Sequence, residues 1–181
     1  MAVISIKNKT KSGSLLVGNA AYNPPMFESI ATVTPYTTTT TVEFNSIPST
    51  YTHLQIRALV MGSAYSTLRF NSDTTTSNYR SHYLGGQGTV TFAGSDANQA
   101  YFANGGSTNG FVAIVDILDY ANTNKYKTQR TSSGWDNSGS GEVYLTSSLW
   151  MSTAAISSIK ITSASGTFAS GSYFALYGIK G

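Results

Sequence analysis

The sequence predicts an all-β protein: an antiparallel β-sandwich of jelly-roll type with an extended N-terminal arm. Three observations lead there. Apolar and polar residues alternate with a period of two in several stretches, no 3.6-residue periodicity persists anywhere, and the residue mix is rich in Ser, Thr, Gly, Asn and Tyr while charged residues make up only 10%. Such a mix suits short strands joined by polar turns and disfavours helices. With 181 residues the chain has the length of one domain, which buries about 70% of its unfolded surface.

The central element is Tyr51 to Phe70. His53–Val60 alternates strictly, sending Leu54, Ile56, Ala58 and Val60 to one face and Gln55, Arg57 and Leu59 to the other. Ser66–Phe70 continues the rhythm after Met61-Gly62-Ser63, which predicts a central strand pair. Phe111–Leu118, punctuated by Asn109 and Gly110, has the length of a strand buried on both sides and is expected to supply the facing sheet.

The remaining strands follow in order. Phe27–Val33 and Thr39–Phe44 read as a hairpin around Pro35 to Thr38, with Val42 and Phe44 inward. Pro48 offers no donor to a ladder, so Ile47–Thr50 is a corner. After the polar turn 71–77 comes Tyr79–Leu84, closed by Gly85-Gly86; positions 85–110 then read as a long loop with Val90–Phe92 and Tyr101-Phe102 as apolar islands. A loop of that length suits either an adaptable contact surface or a set of turns. Lys125–Arg130, with charges on one side, then Glu142–Leu145, Ile156–Thr162 and Gly171–Ile179 complete about nine strands. A single helical turn at Ser152–Ala155 fits between two of them. In the last strand Phe174 and Leu176 share one face, and Tyr173, Ala175, Tyr177 and Ile179 the other. The first and last body strands are expected to pair antiparallel, which protects two edges at once.

Residues 1–25 differ from the body at 26–181. They hold Lys7, Lys9 and Lys11 and no acid, leaving eight bases to balance the eight acids of the rest. Leu15-Leu16-Val17 is too short for the apolar core of a signal peptide, and nothing approaches the roughly 20 apolar residues of a membrane-spanning helix. Pro24-Pro25 stiffens the approach to the body. An extended arm follows, with Lys7, Lys9, Lys11, Leu15, Leu16, Val17, Pro24 and Pro25 as candidate contacts to a neighbouring subunit or shell; fully extended it would reach about 80 Å. A loose terminus is the plainer reading.

The inventory of reactive groups points away from catalysis. Cysteine is absent, so there is neither a disulfide framework nor a thiolate. His53 and His82 have no metal-ligand spacing and fit sheet-edge positions; Asp116 and Asp119 flank a strand end. Gly85-Gly86-Gln87-Gly88 lacks the strand–helix context of a phosphate loop. The net charge of +3 is carried by the arm, and Arg57, Arg69, Arg80, Lys125, Lys127 and Arg130 are scattered among acids, so no nucleic-acid patch is expected. No enzyme activity, cofactor or membrane partner is expected either. Trp135, Trp150 and tyrosines including Tyr65, Tyr83, Tyr101 and Tyr144 suit a sugar-stacking platform, subunit contacts or the core.

Several stretches carry a resemblance: Phe27–Val33, Ser46–Arg57, Leu68–Asp73, Asp119–Lys127, Leu149–Ile156 and Phe174–Ile179. Together they resemble a group of small structural proteins of tailed bacteriophages. The resemblance implies a jelly-roll virion protein, standing alone or as a terminal module of tail proteins, and transfers no catalytic residue. The resulting expectation is a capsid decoration (cement) protein on the outside of the virion. It would be bound to the major capsid protein and trimeric, the trimer coming from the resemblance. The alternative is a tail-fibre or tail-tip module that binds host surface glycans through 85–110 and exposed aromatics.

Overall fold

The alternation of His53–Val60 produces the strand that it predicts, with Leu54, Ile56 and Val60 fully buried and Arg57 and Leu59 on the open side. The computed structural model describes residues 26–62, 64–105 and 109–181, and the backbone of 16–17 and 20–21. Of the arm, β1 (Leu16–Val17) and β2 (Ala20–Ala21) pair antiparallel with each other; Lys7, Lys9, Lys11, Leu15, Pro24 and Pro25 lie outside the described residues.

The body is an antiparallel β-sandwich of two unequal sheets. In chain order its strands are β3 (Phe27–Val33), β4 (Thr41–Phe44), β5 (His53–Val60), β6 (Ala64–Phe70), β7 (Tyr79–Gln87), β8 (Val90–Asp96), β9 (Ala100–Gly105), β10 (Phe111–Leu118), β11 (Lys127–Asp136), β12 (Gly141–Trp150), β13 (Ile159–Gly166) and β14 (Tyr173–Ile179). The eight-stranded sheet runs β3-β14-β5-β10-β11-β12-β7-β8, and the four-stranded sheet β4-β13-β6-β9. As expected, β3 and β14 pair antiparallel, Phe174 opposite Val33 and Ile179 opposite Phe27. No α-helix forms among the described residues.

Partner assignments differ from the sequence reading in several places. β5 and β6 do not pair: β5 lies between β14 and β10, and β6 belongs to the facing sheet between β13 and β9. The chain changes sheets at Gly62, whose φ of 99° is left-handed and whose added Cβ would stand 2.7 Å from the Thr167 carbonyl. Met61 anchors the crossing, donating its N–H to Ser172 Oγ (3.0 Å) and accepting from Ala169 N–H (2.8 Å). β10 is not in the facing sheet but beside β5, with Val115 opposite Ile56, and it is buried on one side only, in strict alternation. β3 and β4 form no hairpin, since each lies in a different sheet. Positions 85–110 are not a loop: β7 runs through Gly85-Gly86, and β8 and β9 fill most of the rest. Ser152–Ala155 is irregular, and a short 3-10 turn occurs instead at Thr76–Asn78. Twelve body strands replace the nine expected.

The core lies where the small sheet covers β14, β5 and β10. Phe44, Leu68, Phe70, Ile159 and Ile161 from one side meet Leu54, Ile56, Val115, Phe174 and Leu176 from the other. Each such side chain contributes about 1.5–3 kcal/mol through removal from water. A polar staple closes one end of the core. Asn71 and Ser72 take positive φ (51° and 57°), and the following Asp73 carboxylate accepts from Thr75 N–H (2.9 Å), Asn78 Nδ2 (2.8 Å) and Trp150 Nε1 (2.7 Å). Burial alone would raise the Asp73 pKa, but these hydrogen bonds outweigh it and hold the group at about 2.

Candidate functional site

The inner face of the eight-stranded sheet changes character at β11. Across β14, β5 and β10 every inward side chain is apolar or glycine; on β11, β12 and β7 the inward positions include Lys127, Gln129, Thr131, Ser133, Thr146, Ser148 and Ser81, all buried. The edge strand β9 lies over this polar strip and is bound to it by side chains. The Tyr101 carbonyl accepts from Gln129 Nε2 (2.6 Å) and Thr131 Oγ1 (3.3 Å), Tyr101 N–H donates to Ser148 Oγ (3.3 Å), and Ser81 Oγ donates to the Gln99 carbonyl (2.5 Å). A pairing irregularity between Ser66 and Thr67 of β6, where Ala103 and Tyr101 are the partners, leaves Phe102 as the extra residue and aims its ring into the core. Backbone groups of an edge strand that would otherwise invite pairing are satisfied by the opposite sheet.

Four strands cannot cover eight, so beyond β9 the inner faces of β12, β7 and β8 open to solvent as a cleft. Its volume is about 320 Å³, and its walls are the rings of Tyr65, Tyr83, Phe92, Tyr101 and Tyr144. The rings form one connected cluster: Tyr83 meets Tyr101 edge-on at 5.7 Å, Tyr65 meets Tyr101 at 5.4 Å and Phe92 meets Tyr144 at 5.2 Å. Two glycines make the arrangement sterically feasible. Gly85 pairs with Phe92 and Gly94 with Tyr83 across β7 and β8; a Cβ on Gly85 would stand 2.3 Å from Phe92 Cζ, and one on Gly94 2.4 Å from the Tyr83 hydroxyl. Each ring therefore lies down over the glycine opposite it.

Polar groups complete the cleft. Asn104 Nδ2 donates to the Tyr144 hydroxyl (2.7 Å), the Tyr65 hydroxyl to Gln99 Oε1 (3.3 Å) and the Tyr101 hydroxyl to Asp96 Oδ2 (3.0 Å); Gln87 and Glu142 also line it. Burial raises the pKa of Tyr65, Tyr101 and Tyr144, and for Tyr101 the bond with Tyr65 and the Asp96 carboxylate add to it. These phenols stay protonated at neutral pH. Among the described residues Glu142 is the one charged residue of the lining, and no Lys, Arg or His lines the cleft.

The outer face of the same sheet is the second distinct surface. Register places Tyr173 beside Leu59, Leu59 beside Val112, Val112 beside Gly134 and Gly134 beside Val143 in one row. The next row holds Arg57, Ile114, Ser132, Leu145 and Leu84. Leu59 is 46%, Val112 55% and Val143 64% exposed, so the two rows form an apolar band with a shallow trough over Gly134. The rows beyond it are polar. Gln55 donates to Asp116 Oδ1 (2.7 Å), Arg57 Nε donates to Gln55 Oε1 (2.7 Å), and the Arg57 guanidinium lies over the Phe27 and Tyr177 rings.

The other candidates of the sequence are structural in their contacts. His53 is in a central strand, not at an edge: its Nδ1 accepts from Asp119 N–H (2.9 Å), and Asp119 also pairs with Lys125, whose hydrogen bond holds that carboxyl below its ordinary value. Asp116 lies away from it on the outer face, bound to Gln55, and His82 is exposed. Lys127 does not share a charged side with Arg130; its stem is buried and its Nζ donates to the Lys125 (2.9 Å) and Thr153 (3.2 Å) carbonyls. Tyr79, Tyr120 and Trp150 belong to the core, while Tyr65, Tyr83, Tyr101 and Tyr144 gather at the cleft. Sequence reasoning missed Gln87, Asn104 and Glu142. The signal that points to their neighbourhood is the pair of glycines at 85 and 94, each directly opposite an aromatic residue on the adjacent strand. No three His, Asp or Glu side chains gather as a metal site among the described residues. Comparison with known proteins returns no family model, no curated protein and no solved structure that matches the chain.

Proposed function

We propose that the chain is a structural protein of a tailed-phage virion: a capsid decoration protein of jelly-roll type, whose copies associate and bind the major capsid protein on the outside of the shell. The observation that carries this reading is the apolar band of Leu59, Val112, Ile114, Val143, Leu145 and Tyr173 on the open face of the larger sheet. Contiguous apolar surface of this kind marks contact with another protein far more often than free solvent. Apart from Arg57 at one end of its second row, the band is uncharged, which suits contact with another copy of the chain; a trimer is the preferred assembly, following the phage-protein resemblance. The arm, with Lys7, Lys9 and Lys11, then reaches onto the shell.

Light scattering on the purified chain tests the first half. A defined oligomer that dissociates to monomers in V112D is expected, whereas a wild-type monomer at working concentration overturns the association. Co-sedimentation with shells lacking the protein tests the second half: binding by the full chain and its loss on deleting residues 1–25 are expected, and equally tight binding by the shortened chain removes the arm from the mechanism. Antibody labelling over the head supports decoration; labelling at the tail refutes it.

A further inference from the structure

We infer that the aromatic cleft between β9 and the strands β12, β7 and β8 is a binding site for a neutral sugar ring. The inference goes beyond the structural role proposed above and stands or falls separately from it, because the cleft is on the inner face of the sheet and the apolar band on the outer.

Four features of the cleft select the ligand. Its volume of about 320 Å³ is at the small end of ligand pockets, which run from roughly 300 to 1,000 Å³, so it suits one or two rings, not a peptide or an extended lipid. Its walls are aromatic faces, and two of these, Phe92 and Tyr83, are held flat by the absence of a side chain at Gly85 and Gly94. A flat ring presents its face to a C–H surface, and a pyranose has such a surface on one side and hydroxyls around its rim. The polar lining matches that rim: the Glu142 carboxylate accepts from vicinal hydroxyls, while the amides of Gln87 and Asn104 can both donate and accept. Finally, the only charge among the described lining residues is negative. A phosphate, sulfate or carboxylate on the ligand would meet Glu142 with no cation among the described lining residues to offset it, which disfavours nucleotides and acidic sugars. A purely apolar ligand is disfavoured in turn, because it would strip water from Gln87 and from the Glu142 carboxylate without replacing the hydrogen bonds lost.

The orientation follows from the same placement. The ring stacks on Phe92, with Tyr144 inclined at 59° to it and closing one side, and turns its hydroxyl edge toward Glu142 and Gln87, which face each other across β12 and β7. Chain continuation of a longer saccharide runs outward past β8, where the sheet ends.

Saturation-transfer NMR on the full-length protein with D-glucose, D-galactose, D-mannose and N-acetyl-D-glucosamine tests the assignment, each sugar at about 50 mM because single-ring sites bind in the millimolar range. Transfer to ring C–H protons of at least one of the four is expected. Glu142→Gln keeps the shape and removes the charged acceptor, and should weaken that sugar about tenfold; Tyr144→Ala should abolish the transfer, and His82→Ala, on the outer face, should leave it unchanged. The inference is overturned if none of the four sugars shows transfer. It is overturned equally if E142Q and Y144A bind as the wild type does, or if adenosine or N-acetylneuraminic acid is preferred to every neutral sugar.

Discussion

Both halves of the eight-stranded sheet are made of strands of similar length on the same pleat, yet they are used in opposite ways. On β14, β5 and β10 the inward residues are Phe174, Leu176, Ile56, Val60, Phe111 and Val115, sealed beneath the small sheet. At one end of β12, β7 and β8, away from the buried Trp150 and Tyr79, they are Glu142, Tyr144, Tyr83, Gln87 and Phe92, at the rim of a cleft. The difference teaches that a sandwich with unequal sheets separates stability from recognition. The covered half supplies the burial that folds the chain, and the uncovered half is then free to carry side chains that would be costly in a core. The polar strip under β9 is the joint between them, where inter-sheet hydrogen bonds take over from apolar packing.

The sharpest way to break this comparison is to truncate one ring in each half. Phe174 is fully buried and meets Phe168 at 5.2 Å; F174A should cost about 3–5 kcal/mol in denaturant unfolding. Y144A should cost only about 1 kcal/mol, since its ring is half-exposed at the cleft. Comparable losses would show that the open half also carries the fold.

Asp73 comes next in size. Replacing its carboxylate in D73N should cost about 1.5–3 kcal/mol at neutral pH, the range for hydrogen bonds to a charged group. Its folded pKa of about 2 lies below the ordinary value, so the stabilisation is complete above about pH 4 and lost as pH falls toward 2. The gap between wild type and D73N should therefore close over that window in acid-unfolding curves; a gap constant down to pH 2 would contradict the pairing.

Gly85→Ala probes the open half from below. Its Cβ would meet Phe92 and stand 2.9 Å from the Val143 carbonyl; the backbone contact cannot swing away, so a loss of about 1–3 kcal/mol is expected, together with a changed near-ultraviolet circular dichroism signal as Phe92 lifts off the sheet. An unchanged signal would mean that the ring does not depend on the glycine. The smallest effect is reserved for the outer face, where Val112→Asp should alter the stability of the folded monomer by no more than about 0.5 kcal/mol, in contrast to its effect on association.

Much of the fold is legible in the residues one strand at a time. Leu54, Ile56 and Val60 declare an inner face, and Val42 and Phe44 another, because a strand's pleat turns local alternation into burial directly. Partners are not legible in that way. β5 and β6 look like neighbours since they are adjacent in sequence, but Gly62 and the Met61–Ser172 contact carry the chain across to the other sheet. Phe111–Leu118 looks buried on both sides because Val112, Ile114 and Leu118 are apolar, whereas the structure leaves all three exposed. Two of the three, Val112 and Ile114, belong to the apolar band. At 85–110 the glycines that suggest a loop are strand residues beneath aromatic rings, a meaning that depends on the strand opposite.

By itself, then, the sequence determined an all-β chain, the inward face of its best-alternating strands, the pairing of its first and last body strands, and the poverty of reactive groups. The tertiary structure alone decided how the strands divide between two sheets, and so which inner faces are covered. Alternation is a local property that any strand carries with it, but β-pairing joins residues tens of positions apart, as Gln55 and Asp116 do. The mismatch of eight strands against four exists only once all those pairings are made, and the cleft at its open end exists only because of that mismatch.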